Sequence, residues 1–177
     1  MALPSKRSAF TLIELLLVVT IISIITVGVI PAFSTYIRNQ NLKQAQEQLK
    51  SDMRSVQNKA LTGALSDQLI GGSLVRFWAM RFTNGSATYD YFISALDTSC
   101  PSNYATGQYQ GNGKLANGLT VKSFNVGQSG CLFFSISDGG ISSPGFGGSS
   151  SVLVGYSDSE VKNIYFNTGG LIYSTNN

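Results

Sequence analysis

The feature that most constrains this chain is a long apolar run near its N-terminus. From Phe10 to Ile37 the sole charged residue is Glu14. About 20 apolar residues suffice for a helix to cross the hydrocarbon core of a bilayer, so this run is long enough to span one. Lys6 and Arg7 precede it, and basic residues favour the cytoplasmic side of a membrane. The pattern predicts a membrane-spanning helix followed by an exported body.

The apolar pattern continues past this run in a form typical of an amphipathic helix. Apolar residues recur at spacings of three and four, which places them on one helical face. We therefore expect one helix from Thr11 to Leu61, ended near Gly63, with this face packed on a sheet rather than on a coiled-coil partner. The residues on the apolar face are Leu42, Ala45, Leu49, Met53, Val56 and Ala60.

The remainder of the chain has the alternation and the turn residues of a β-rich domain. Asn84-Gly85 predicts a hairpin, Gly169-Gly170 predicts the last turn, and the glycine- and serine-rich stretch 139–151 predicts a flexible loop. The predicted strands are 74–82, 87–96, 119–126, 131–137, 152–156, 163–166 and 171–174.

We expect the apolar helix face to pack on this sheet, because each of the two needs the other to cover its apolar side. The expected class is α+β, with a long N-terminal helix on an antiparallel β-sheet head. The expected parts are a leader (1–9), a hydrophobic transmembrane and assembly half of the helix (10–37), an amphipathic half (38–63) and the head (64–177).

Composition excludes several kinds of function. The net charge is +3, but the part after residue 60 is close to neutral, which disfavours nucleic-acid binding by the head. The chain has no histidine, so it cannot build a Ser-His-Asp, Cys-His or His-ligated metal site. We predict no enzyme activity, no catalytic residues, no metal and no cofactor. The alternative is a calcium site at Asp158 and Glu160, although these two acids are its only evidence.

The two cysteines, Cys100 and Cys131, predict one disulfide if the domain is exported. Closing a loop of that length would stabilise the fold by roughly 3–4 kcal/mol in the chain-entropy estimate. Two buried free thiols are the alternative.

Glu14 is a carboxylate placed where a carboxylate is costly. A buried acid costs roughly 3 kcal/mol at the centre of a membrane helix and less near the interface. Cleavage between Ala9 and Phe10 would create an α-amino group one helical turn from Glu14. Within one chain the amine lies awkwardly at the helix end, whereas between staggered neighbours the two charges meet naturally. The sequence thus indicates an intersubunit contact.

The segment from Ala9 through Phe10-Thr11-Leu12-Ile13 to Glu14 resembles the class III signal of type IV pilins and secretion pseudopilins. The family has a short basic leader, a cleavage point, Phe-Thr-Leu-Ile-Glu, an apolar helix and a proline at the place of Pro31. It usually has glycine before the cut, where this chain has Ala9. Residues 46–63 and 161–170 are similar to the minor pseudopilin and FimT-like branch, which covers the same helix with a β-sheet.

The resemblance implies roles for individual residues. A prepilin peptidase would cut after Ala9 and N-methylate Phe10. Glu14 would recruit the next subunit and neutralise its amine, with Thr11 helping to polarise that contact. Gly28 and Pro31 are candidates for local melting or kinking of the helix, because proline cannot donate a backbone hydrogen bond.

The function implied is a structural subunit of a type IV pilus filament. Its partners would be itself in a helical homo-polymer, other pilins, the prepilin peptidase, the inner-membrane assembly platform and, before assembly, the membrane. The precursor would lie in the cytoplasmic membrane and the product in an extracellular pilus or an envelope pseudopilus. Two alternative functions stay open. The chain could be a pseudopilin or minor pilin of a type II secretion or DNA-uptake machine, or it could be a tip adhesin. An ordinary signal anchor would leave Glu14 unexplained.

Overall fold

The computed structural model describes residues 10–116, 118–123, 128–146 and 151–175, and of residues 27–32 it describes the backbone alone. One helix, α1 (Leu12–Leu61), precedes a series of antiparallel strands, so the fold class is α+β. The strands are β1 (Leu69–Ile70), β2 (Ser73–Leu74), β3 (Phe77–Thr83), β4 (Thr88–Ser94), β5 (Tyr109–Lys114), β6 (Thr120–Val121), β7 (Ser129–Ser135), β8 (Ile141–Ser142), β9 (Ser151–Gly155), β10 (Val161–Phe166) and β11 (Ile172–Ser174).

The chain divides into two compact units, Met1–Gln40 and Asn41–Asn177, and α1 contributes residues to both. In the first unit the described part is mainly the N-terminal portion of α1. The second unit contains the rest of α1 and all the strands named above. The amphipathic pattern and the apolar run therefore belong to different units.

The C-terminal end of α1 is closed by its own backbone. The Ala64 N–H donates to the carbonyl of Lys59 at 3.1 Å, and the Gly63 N–H donates to the carbonyl of Ala60 at 2.9 Å. Gly63 has φ 67°, a left-handed conformation that glycine adopts without a Cβ penalty. These two bonds form a Schellman motif, and they confirm the predicted end of the helix near Gly63.

The predicted apolar face of α1 is the face that packs on the sheets. All six of its residues are buried, and Leu49, Met53 and Ala60 have no exposed surface. The polar neighbour Gln46 is buried too, and its Nε2 donates to the Asn163 carbonyl at 2.7 Å. Core packing, rather than a coiled-coil partner, therefore accounts for this face.

The strands form two larger sheets and one small hairpin. The five-stranded sheet has the order β5-β4-β3-β7-β8, and the four-stranded sheet has the order β11-β10-β9-β6. β1 pairs with β2 alone, with Leu69 opposite Leu74. The main hydrophobic core takes side chains from α1 and from both larger sheets.

The five-stranded sheet is buried on both faces at its centre. Trp78, Met80 and Phe82 of β3 belong to the main core, whereas Ala79 points into a second cluster. This second cluster, here called the outer cluster, consists of Ala79, Phe92, Cys131 and Phe133, with Phe77, Cys100 and Tyr104 packed against it. Segment 95–108 supplies Cys100 and Tyr104 and so covers part of the outer face.

Most predicted strands are present, with bounds shifted by a few residues. β4, β7, β9, β10 and β11 correspond to predictions, and β3 pairs with β4 around the predicted Asn84-Gly85 turn. The Gly169-Gly170 turn joins β10 to β11, and Gly170 has φ 87°. Of the predicted strand 119–126, only Thr120 and Val121 form a strand, β6. Leu119, Lys122 and Ser123 are described but lie outside any strand, and residues 124–127 lie outside the described part.

Three features differ from the predictions. Residues 74–82 fall in two strands, β2 and β3, because β2 pairs with β1 whereas β3 pairs with β4 and β7. β5 and the β1–β2 hairpin were not predicted at all. The stretch 139–151 was predicted as a flexible loop, but its described part contains β8 and buries Ile141 and Phe146. Because these two apolar side chains are buried in the core, the prediction of a flexible loop is wrong for this part of the stretch.

Candidate functional site

The first turn of α1 is organised by Thr11. Its Oγ1 accepts a hydrogen bond from the Glu14 N–H at 3.3 Å, and its carbonyl accepts from the N–H groups of Glu14 and Leu15 at 3.1 and 3.2 Å. Thr11 is therefore the N-cap and Glu14 is the third helical residue, the spacing of a capping box. Thr11 acts here as the cap of the helix, a local role that the resemblance did not supply.

Glu14 is the acid in the first turn, and it is exposed. A carboxylate near a helix N-terminus is favoured by the partial positive charge of the unpaired N–H groups there. This local stabilisation explains how the helix tolerates an acid, but it does not provide a counter-charge. The carboxylate stays available at the surface of the single chain.

The helix surface around Glu14 is apolar. The exposed large hydrophobic residues include Phe10 (72%), Leu12 (81%) and Ile13 (74%). The same surface continues through residues 15–25 and at Phe33, Tyr36 and Ile37. In a single chain this area faces solvent, so it requires lipid or another protein to cover it.

The hydroxyl groups in this part of α1 are satisfied by the helix itself. Thr20 donates to the Leu17 carbonyl at 2.8 Å, Ser23 to the Val19 carbonyl at 2.8 Å, and Thr26 to the Ile22 carbonyl at 2.7 Å. Because each O–H already has an acceptor, it does not have to be paired by a neighbour. Residues 20–26 can therefore enter an apolar environment without unpaired hydroxyl donors.

The other predicted site residues are placed as follows. Ala9 lies outside the described residues, whereas Phe10 is described and exposed. Gly28 and Pro31 lie within the continuous helix α1. Their proposed melting or kinking stays a prediction, as do the cleavage and methylation.

In the part of the chain that the structure describes, no helix is both long enough and apolar enough to cross a membrane. Membrane residence of residues 10–37 stays a prediction.

The disulfide forms between the predicted residues. Cys100 and Cys131 are joined, with their Cα atoms 5.3 Å apart. Cys131 is buried in β7 and Cys100 lies in segment 95–108, so the bond ties this segment to the outer face of the sheet. The alternative of two free thiols is thus wrong.

A partly buried ion pair holds the same segment at a second point. Arg81 bonds to Asp90 at 2.7 Å and donates to the carbonyls of Pro101 and Ser102, each at 2.9 Å. The Tyr104 hydroxyl also donates to Asp90, at 2.7 Å. Burial, together with this bond to a carboxylate, raises the pKa of Tyr104 above its ordinary value. Sequence reasoning missed this network, because its members are far apart along the chain.

Asp158 and Glu160, the acids suggested for calcium binding, do not belong to a larger group of acidic side chains in the described part of the chain. Asp158 is exposed and lies 3.7 Å from the Lys122 ammonium. Within the described ranges, no group of three or more His, Cys, Asp or Glu side chains could hold a metal ion. Calcium is usually held by six to eight oxygen ligands, which these two acids do not approach.

Comparison with known proteins identifies the N-terminal segment. Residues 4–30 match the family model described as the prokaryotic N-terminal methylation motif. This match shows that the chain carries the class III signal, the signal of type IV pilin and pseudopilin precursors. Such a signal implies processing by a prepilin peptidase and assembly with other pilins. No curated protein and no solved structure matches the chain. The family match therefore covers the N-terminal segment, and none of the three comparisons matches the head.

Proposed function

We propose that this protein is a structural subunit of a type IV pilus filament. A prepilin peptidase cuts the membrane-held precursor between Ala9 and Phe10 and methylates the new N-terminus. The subunit then enters the filament from the inner-membrane assembly platform through its N-terminal helix. The match of residues 4–30 to the methylation motif carries this proposal, because this signal is typical of precursors that are processed and polymerised in this way.

The chemistry of the first turn supports a contact between subunits. Cleavage leaves Phe10 as the first residue, directly before the Thr11 cap. The helix beginning at Leu12 keeps its cap after the cut, because the cap belongs to the mature chain. The new amine is a positive charge in an apolar surface, and the exposed Glu14 carboxylate of a staggered neighbour is its matching partner.

The decisive experiment replaces Glu14 in the full-length chain expressed with its assembly machinery. We expect Glu14→Ala to be inserted and cleaved normally, with the subunit recovered in sheared filaments reduced by about tenfold or more. The physical reason is that the variant leaves the neighbour's amine buried without a counter-charge. Asp158→Ala, which removes an exposed acid from the head, is the matched control. Wild-type filament yield from Glu14→Ala would refute the proposed amine contact.

Two measurements on wild-type filaments test processing and role. Mass spectrometry of the assembled subunit should find N-methylated Phe10 as its first residue, and an intact Met1 would contradict the processing. Electron microscopy with mass spectrometry of shed filaments should find this chain as their bulk component. If long filaments lack it as the bulk component, the major-subunit role is wrong.

A further inference from the structure

The head carries a cleft that the N-terminal assembly helix does not explain. It lies beside the β1–β2 hairpin and encloses about 730 Å³. Leu69, Leu74 and Leu96 line it and are 63%, 55% and 68% exposed. Ligand sites in proteins are typically clefts of about 300–1,000 Å³ that combine apolar side chains with a few polar groups. The cleft therefore has the size of a ligand site, and its three leucines offer apolar area to a ligand.

Arg76 is the only charged residue that lines this cleft in the described part of the chain. Among the described residues, its exposed side chain has no partner in a hydrogen bond or an ion pair. The other two arginines of the second unit are engaged. Arg54 donates to the Ile172 carbonyl at 2.8 Å. Arg81 pairs with Asp90 at 2.7 Å. The cleft thus combines apolar walls with one guanidinium that is free to bind an anion.

The chemistry of a guanidinium favours a carboxylate as that anion. Its planar fork of N–H groups can bond both carboxylate oxygens at once, which makes the pair stronger and more directional than a pair with a single contact. A ligand that covers the leucines also removes water from around Arg76, and the attraction between the two charges increases as water leaves.

Hydrogen bonds hold the walls of the cleft in place without a ligand. The Arg76 N–H donates to the Ser94 carbonyl at 2.9 Å, and the Arg76 carbonyl accepts from the Ile136 N–H at 3.0 Å. The Ser94 hydroxyl donates to the Leu96 carbonyl at 2.6 Å and accepts from the Leu96 N–H at 3.2 Å. A site that already has its bound shape loses less conformational freedom on binding.

The size of the cleft favours a small ligand over a protein partner. Ten residues line it, whereas a stable protein interface takes about 20–30 residues on each side. A neutral hydrocarbon would leave Arg76 without a partner, and a small inorganic anion would leave the leucines in water. A molecule with an aliphatic body and one terminal carboxylate satisfies both features of the cleft.

We propose that the cleft beside the β1–β2 hairpin binds a long-chain carboxylate, that is, a free fatty acid. The carboxylate bonds to the Arg76 guanidinium, and the hydrocarbon chain covers Leu69, Leu74 and Leu96. This binding site goes beyond the proposed filament function and does not depend on it. The residues that line the site belong to the second unit, whereas the class III signal lies in residues 4–30.

Photolabelling tests the place and the chemistry of the site together. The full-length chain in phosphatidylcholine nanodiscs is incubated with palmitic acid that carries a diazirine on its chain, irradiated and digested for mass spectrometry. We expect label on peptides that contain residues 69–74 and 94–96, and unlabelled palmitate should displace it. The corresponding diazirine palmityl alcohol, which lacks the carboxylate, should label these peptides about tenfold less. Equal labelling by acid and alcohol, or no label on these peptides, overturns the inference.

The charge of Arg76 is tested by Arg76→Gln, which keeps a polar side chain but removes the cation. We expect about tenfold less label from the acid on the cleft peptides. Arg54→Gln is the matched control, because it removes an exposed arginine that does not line the cleft. Undiminished label in Arg76→Gln, or an equal loss in both variants, overturns the inference.

The leucines are tested by Leu74→Ser combined with Leu96→Ser. This variant should also lose label, whereas Leu171→Ser should keep it, because Leu171 is 56% exposed and lies outside the cleft. Since these side chains are exposed, thermal unfolding of both variants should match that of the wild type. Full labelling of the double variant would contradict a role for the leucines.

A separate arm distinguishes a free fatty acid from a lipid bilayer. Nanodiscs that contain a diazirine phosphatidylcholine, without fatty acid, should leave the cleft peptides unlabelled. Label on these peptides would show that the hairpin enters the bilayer, and the inference would be wrong. The proposed function fails separately. If the chain is absent from all shed filaments but fatty acid labels the cleft, the filament function alone is refuted.

Discussion

Gly113 of β5 shows how a single missing side chain can position a core residue. It lies opposite Tyr89 of β4, and a Cβ at this position would come within 2.2 Å of the Tyr89 ring. The ring occupies that space because its hydroxyl donates to the Asp52 carboxylate on α1. Glycine at position 113 thus permits a hydrogen bond between the helix and the sheet.

We expect Gly113→Ala to lower the free energy of unfolding by about 1–3 kcal/mol, because the ring or the edge strand has to move. Denaturant unfolding of the purified full-length chain in detergent would measure the change. Gly169→Ala is the control, since a Cβ there would meet its nearest neighbour at an ordinary 3.5 Å. Equal effects of both substitutions would contradict the proposed steric reason.

Tyr89 should also give the stability of the head a dependence on alkaline pH. Burial, and then the hydrogen bond to Asp52, raise the pKa of Tyr89 well above its ordinary value of 10.0. The folded state therefore keeps this proton where the unfolded state loses it. The stabilisation is complete below about pH 10, and it decreases as pH rises further, by about 1.4 kcal/mol per pH unit.

Unfolding curves between about pH 9 and pH 11.5 would test this dependence, with Tyr89→Phe as the comparison. The variant should lose stability at neutral pH and show a shallower decline above about pH 10. Tyr91, whose pKa is raised by burial to about 12, accounts for part of the decline that remains. Parallel curves for the two proteins would rule out Tyr89 as the group responsible.

At the scale of elements, the buried face of α1 packs the helix into the core that it shares with the sheets. Leu49 has no exposed surface, and we expect Leu49→Ala to lower the free energy of unfolding by about 2–5 kcal/mol through lost burial and a residual cavity. Lys43→Ala, on the exposed side, should change it by less than about 0.5 kcal/mol. Denaturant titration of both variants checks the expectation, and a small loss from Leu49→Ala would show that the sheets hold together without the helix.

Some elements were predictable because a local pattern specified them. The spacing from Leu42 to Ala60 indicated a buried helix face, and Asn84-Gly85 indicated the β3–β4 turn. β5 was missed because its sequence, Tyr-Gln-Gly-Asn-Gly-Lys, has the composition of a loop. It is a strand because β4 supplies its hydrogen bonds, and a partner that distant is invisible to local periodicity.

The candidate site, like the fold, was predictable from the sequence only in part. The chemistry of Glu14 is visible in the sequence because a single charge interrupts an apolar run. The structure added the hydrogen bond from the Glu14 N–H to Thr11. The cleft beside the β1–β2 hairpin could not be predicted, because Leu69 and Leu96, which both line it, become neighbours only after the chain has passed through β3 and β4.

At the scale of the whole molecule, the disulfide and the Arg81–Asp90 pair together close the outer cluster. We expect Cys100→Ser with Cys131→Ser to lower the free energy of unfolding by about 2–4 kcal/mol. Limited proteolysis should then cut first within segment 95–108, since the segment would keep the hydrogen bonds of Arg81 and Tyr104 but lose its covalent tie to β7. Cleavage first within α1 would show instead that the disulfide supports the main core.

The burial of β3 and β7 on both faces also determines where related chains are free to differ. A strand with one solvated face can change every second residue, but at the centre of this sheet both faces are occupied by packed side chains. Substitutions should therefore accumulate around the β1–β2 hairpin and at the exposed positions of β5 and segment 95–108, but not at Gly113, Cys100 or Tyr104. Related chains would therefore differ mainly in their exposed surface, while the residues packed on β3 and β7 stay constant.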